Sequence, residues 1–127
     1  MMNKVTKMSV VAVISLWLVA CTNAGSTRPT VHATPDAKAA EINVRLGLNY
    51  LQRGDYEIAL AKLEKALQQN PNLPSAHNTI ALLYQRLEEM DKAEYHFKQA
   101  VQRDPTYSAA QNNYGAFLCG QERYDEA

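Results

Sequence analysis

Net charge is absent from this sequence, in which 13 Lys and Arg offset 13 Asp and Glu over 127 residues. Without an excess or a segregation of cations to neutralise phosphates, a nucleic-acid-binding domain is not expected. Cysteine is scarce, with only Cys21 and Cys119, which excludes a disulfide scaffold. Glycine and proline number five each, too few for collagen, and 46% hydrophobic residues argue against disorder. The three histidines, His32, His77 and His96, include no pair at the four-residue spacing that places two metal ligands on one helix face. No glycine-rich phosphate loop, nucleophile elbow or carboxylate pair framed by strands occurs either. The acidic pairs Glu88-Glu89 and Asp125-Glu126 read as solvated helix-turn residues. Catalysis, a metal site, a cofactor and a small-molecule substrate are therefore not expected.

Long apolar runs are also lacking, save one. Ser9 to Ala20 holds 12 residues interrupted only by serines, preceded by Lys4 and Lys7. As a helix it would span roughly 18 Å, well short of the ~30 Å hydrocarbon core, so residues 1–20 read as a signal peptide. Beyond it, residues 21–127 carry 11 cationic and 13 anionic side chains and are faintly acidic. The run ends in Leu18-Val19-Ala20-Cys21, which resembles the lipobox of bacterial lipoproteins. That resemblance implies cleavage before Cys21, a thioether-linked diacylglycerol on its sulfur and acylation of the new amino group. Three acyl chains would anchor the mature chain, each buried CH₂ contributing about 0.8 kcal/mol. Thr22 follows the cysteine where inner-membrane lipoproteins often carry aspartate. The sorting rule thus points to the periplasmic face of the outer membrane of a Gram-negative bacterium. With Cys21 lipidated, Cys119 has no intramolecular partner and reads as a small buried hydrophobe on an apolar helix. The segment 21–39, rich in Thr, Ala, Pro, Gly and Ser, is expected to be a flexible tether, with His32 a solvated residue within it.

From Ala40 onward the chain repeats with a period of 34 residues. Leu46, Ile80 and Tyr114 recur at that spacing, as do Gly47, Ala81 and Gly115, and Tyr50, Tyr84 and Leu118. So do Tyr56, Met90 and Tyr124, and Ala59, Ala93 and Ala127; Leu63 recurs as Phe97, Ala66 as Ala100 and Pro71 as Pro105. The pattern resembles the tetratricopeptide repeat, although Asn43, His77 and Gln111 stand where that family usually has a large aromatic. Apolar spacing within each unit independently predicts two helices around a turn such as Arg53-Gly54-Asp55. Gly47 and Ala59 are small where the helices should cross, and Pro71 and Pro105 should end the second helix of their units.

The expected fold is all-α, a solenoid of antiparallel helix pairs with helices near 39–52, 56–69, 74–86, 90–103 and 108–120. The units are 40–73, 74–107 and a partial 108–127, about two and a half repeats. Because the third unit stops inside its second helix, the sequence is expected to be a truncated copy. The face bearing Tyr114, Phe117 and Leu118 is expected to be incompletely covered.

In stacked helix pairs the first helix of each unit lines the concave face, which nominates Val44, Leu48, Leu51, Asn78, Leu82, Gln85, Asn112, Asn113 and Ala116 as a partner-binding groove. The asparagines could hydrogen-bond an extended peptide, with Leu48 and Leu82 as apolar contacts, or could equally serve to solvate an exposed face. Glu41, Ser75 and Ala109 stand where carboxylate-clamping grooves of the family carry basic residues. Asn112 to Cys119, Arg123 to Ala127 and Arg45 to Leu51 resemble the type IV pilus biogenesis and stability lipoproteins, the pilotin family. That resemblance implies a non-enzymatic role, binding the outer-membrane secretin and promoting its localisation and multimer assembly. The alternative is an adaptor lipoprotein of another envelope machine, in outer-membrane protein assembly or cell-wall enzyme regulation.

Overall fold

A computed structural model describes residues 35–122. The expected signal peptide, Cys21, most of the tether and His32 lie outside the described residues, as do Tyr124 and Ala127. The described residues form five helices: α1 (Pro35–Arg53), α2 (Tyr56–Gln69), α3 (Pro74–Arg86), α4 (Met90–Arg103) and α5 (Ser108–Gly120). The last four follow the boundaries expected from the sequence. Helix α1 instead begins inside the segment 21–39 expected to be a tether. A proline at the first helical position needs no N–H partner and has its φ already set, and the following Asp36 suits the positive helix end. Ala37, Lys38, Ala39 and Ala40 then extend the helix as strong helix formers.

The turns within units are built alike. In the first, Gly54 takes φ 84° and the Asp55 amide donates to the Tyr50 carbonyl at 2.9 Å. One period later the Glu89 amide donates to the Tyr84 carbonyl at 2.9 Å, but Glu88 holds the left-handed position at φ 60°. Left-handed backbone suits glycine and strains a residue with a Cβ, so the second turn stores a cost that the first avoids. Between units, Asn70 and Asp104 cap α2 and α4 just before Pro71 and Pro105. The Asn70 side chain accepts from the Asn72 amide at 3.2 Å, and that of Asp104 from the Thr106 amide at 2.9 Å. Bonds from the Thr106 hydroxyl and amide hold the Asp104 carboxyl below the usual carboxylate range.

Helix α1 packs chiefly on α2 and α3 on α4, while α3 also touches α1, α2 and α5. Gly47 permits the first contact: a Cβ there would meet Leu63 Cγ at 2.6 Å and the Ala59 carbonyl oxygen at 3.2 Å. One core gathers Val44, Leu51, Ala59, Leu63, Ile80 and Leu83; a second joins Ala81, Ala93, Phe97, Phe117 and Leu118, with Leu82 and Tyr84 packed against both. Each fully buried Leu or Phe contributes about 1.5–3 kcal/mol. The face of α5 expected to be incompletely covered is covered in part. Phe117 and Leu118 are buried and Tyr114 is half-buried, because they point back at Phe97, whose ring lies 5.4 Å from that of Phe117 and 5.9 Å from that of Tyr114. The opposite end behaves differently. Leu46 is 38% exposed where its counterpart Ile80 is 2% exposed, since no helix precedes α1 among the described residues.

Candidate functional site

On α1 and α3, residues four apart share a face, and residues one period apart lie side by side. Leu48 and Gln52 therefore align with Leu82 and Arg86, and the row formed by Leu48 and Leu82 continues to Ala116 on α5. Leu48 and Leu82 are half-buried, and they line an open cleft of about 430 Å³ together with Leu51, Gln52, Arg53, Gly54, Tyr56 and Arg86. The cleft thus has an apolar floor and two guanidinium groups at one end. Arg53 is held by Asp55, Nε to Oδ2 at 3.2 Å, and lies over the Tyr50 ring at 5.4 Å. Arg86, in the last turn of α3, makes no salt bridge among the described residues. A shallower recess beside it, of about 400 Å³, adds Gln85, Glu88 and Met90 to Leu82 and Arg86.

Not all nine groove residues expected from the sequence face this space. Val44 is buried in the first core and offers nothing to a partner; Leu51 belongs to the same core and reaches the cleft only as its floor. Asn78 is 5% exposed and accepts from Asn113 Nδ2 at 3.0 Å, so the two amides tie α3 to α5. That bond and its burial turn Asn78 inward, so neither extended-peptide pairing nor surface solvation describes it. Leu48, Leu82 and Gln85 line the cleft or the adjoining recess, while Asn112 and Ala116 are exposed on α5. Sequence reasoning missed Arg53 and Arg86. The signal was available, since position 86 lies four residues after Leu82 on the same face of α3.

Cys119 was expected to be buried, and the structure corrects this: its thiol is free and exposed, on the side of α5 away from Phe117 and Leu118. His77 and His96, distant in sequence, meet at the α3–α4 joint with their Nδ1 atoms 3.0 Å apart. Burial and the neighbouring Arg103 lower the affinity of both for protons. Among the described residues no group of three or more His, Cys, Asp or Glu side chains converges on a point that could hold a metal ion.

Two family models match the chain, one described as TPR repeat over residues 47–88 and one as Tetratricopeptide repeat over residues 74–107. The helix pairs are tetratricopeptide repeats. This repeat chain is 34% identical over 119 residues to the type IV pilus assembly protein PilF of Pseudomonas aeruginosa, covering 94% of the chain and 47% of PilF. It is also 34% identical over 89 residues to a protein of Haemophilus influenzae, covering 70% of the chain and 50% of that relative. The chain thus spans about half the length of these two curated relatives. Among solved structures, one from the functional characterisation of Pseudomonas aeruginosa PilF superimposes with a TM-score of 0.69 at 37% identity, over 72% of this chain and 41% of that one. The crystal structure of MamA shares the fold, with a TM-score of 0.61 at 23% identity over 71% of this chain and 53% of MamA.

Proposed function

We propose that this tetratricopeptide-repeat protein serves in type IV pilus assembly as a non-enzymatic adaptor. Lipids on Cys21 anchor it to the periplasmic face of the outer membrane, and its repeats hold a segment of the secretin and promote secretin multimer assembly. The observation that carries this reading is the similarity to PilF across 94% of the chain, with a shared fold over the repeats. The lipobox-like Leu18-Val19-Ala20-Cys21 supports the anchor. The cleft supports the grip: Leu48 and Leu82 offer apolar contact, and Arg86 offers a charge to a carboxylate on the bound segment.

Binding of the purified secretin periplasmic region to the full chain tests the grip. Arg86→Glu leaves the core untouched because the residue is exposed, and Leu48→Ala removes apolar contact at the cleft wall. The combined variant is expected to weaken binding at least tenfold, about 1.4 kcal/mol. Unchanged affinity in a correctly folded variant would remove the cleft from the reading.

A further inference from the structure

The repeat supplies a basis for assigning the protons where the two histidines of the second unit meet. His77, six residues after Pro71, places Nε2 3.3 Å from the Pro71 carbonyl oxygen. One period later Gln111, six residues after Pro105, donates its side-chain N–H to the Pro105 carbonyl. A carbonyl only accepts, so His77 fills the same role as donor through Nε2–H, and its Nδ1 is left with a lone pair. That Nδ1 lies 3.0 Å from Nδ1 of His96 on α4, which must then carry the proton and donate it.

This arrangement satisfies two neutral imidazoles, and a further proton carries a cost at either place it could go. On His77 Nδ1 it would set two N–H donors against each other at 3.0 Å unless the His96 proton moved to Nε2. On His96 Nε2 it would leave the Nδ1–H···Nδ1 bond in place but create a half-buried cation close to a second one, since the charged side chain acting on both rings is Arg103 of α4. The remaining neighbours are the Pro71 carbonyl from the α2–α3 connection, Tyr84 of α3 stacked on His96 at 5.7 Å, and Tyr95 of α4 edge-on at 5.1 Å. Lys92 already lies over the Tyr84 ring at 5.1 Å.

We propose that the His77–His96 contact is an acid-sensitive latch on the α3–α4 helix pair, at full strength while both imidazoles are neutral and weakened by the uptake of one proton. Burial first, then His77 and Arg103, hold His96 down to about 4, against a usual value near 6.5. A group whose folded value is depressed contributes its full stability above the unfolded value. That contribution is lost as pH falls from about 6.5 towards 4. The first unit supplies the pH-silent version of the same joint. Thirty-four residues earlier, Asn43 and Gln69 stand at the positions of His77 and Arg103, joined by a 2.7 Å bond from Asn43 Nδ2, and Lys62 stands at that of His96.

The test grafts that joint into the second unit as His77→Asn, His96→Lys and Arg103→Gln, and compares unfolding of the full chain with the graft at pH 7.5 and pH 5.0. Between these values the unfolded-to-folded ratio of the native chain should rise on the order of tenfold more than that of the graft, allowing for solvent screening of the partly exposed His96. Equal acid sensitivity would overturn the latch. Should the graft fail to fold, an NMR titration of His96 in the native chain decides: a midpoint below 5 is expected, and one at 6 or above would overturn the proposal. The latch stands on stability alone, whether or not the cleft is a binding site.

Discussion

Replacing Gly47 by alanine should destabilise the chain, whereas the same replacement at its counterpart Gly115 should stabilise it. In an open helix interior, Gly→Ala contributes about 1 kcal/mol of stability through backbone entropy. Among the described residues a Cβ at Gly115 would meet nothing within 4 Å, so that gain should appear there. At Gly47 the new methyl would lie 2.6 Å from Leu63 Cγ and 2.8 Å from Cδ2, with the Ala59 carbonyl at 3.2 Å. Leu63 is fully buried and the carbonyl is backbone, so neither can swing aside cheaply. Overpacking of this kind costs about 1–3 kcal/mol, which outweighs the entropy gain and leaves a net loss near 1 kcal/mol. The two substitutions should therefore differ by about 2 kcal/mol, read from urea denaturation followed by far-UV circular dichroism. Each kcal/mol should shift the thermal midpoint by roughly 4–8 °C for a domain of this size. In a double-mutant cycle, Leu63→Ala should absorb most of the penalty of Gly47→Ala. Equal stabilisation by Gly47→Ala and Gly115→Ala would refute the close approach of α1 to α2.

The turn residues make a second contrast. Glu88→Gly, which gives the second turn the residue the first already has, should raise stability by about 0.5–1 kcal/mol, while Gly54→Ala should lower it by about 1 kcal/mol, both measured by chemical denaturation. The exposed Cys119 should react with a thiol reagent such as dithionitrobenzoate in the native state at close to the rate seen in urea. Protection by a hundredfold or more would return it to the core.

Most of the fold was legible because the repeat writes its punctuation into the sequence. Asn70-Pro71 and Asp104-Pro105 stop α2 and α4, and Pro74 opens α3, so the boundaries of four helices follow from local chemistry. The start of α1 was not legible, because a Thr- and Pro-containing stretch gave no warning that Pro35 would serve as a first helical residue. The cleft was half legible. Period and helix geometry select the row of Leu48, Leu82 and Ala116, but Val44 and Asn78 sit on the neighbouring face, which turns into the packing between helices. Asn78 in particular looks like a surface amide until its partner Asn113, from the next unit, is placed beside it. Cys119 was misread for a related reason: from Tyr114 to Gly120 helix α5 carries no charged or amide side chain, and only the positions of Phe117 and Leu118 reveal which side is inside. The His77–His96 contact joins residues on different helices, so helix-face spacing could not reveal it.

The most direct test of the central claim is the amount of secretin multimer in outer-membrane fractions from a strain lacking this gene, complemented with the native gene or with Cys21→Ala. The account predicts loss of multimers and surface pili in the deletion, restoration by the native gene, and failure of Cys21→Ala, which folds but cannot be lipidated. Normal multimers in the deletion strain would contradict it, and disturbed envelope integrity in their place would favour an adaptor of another envelope machine.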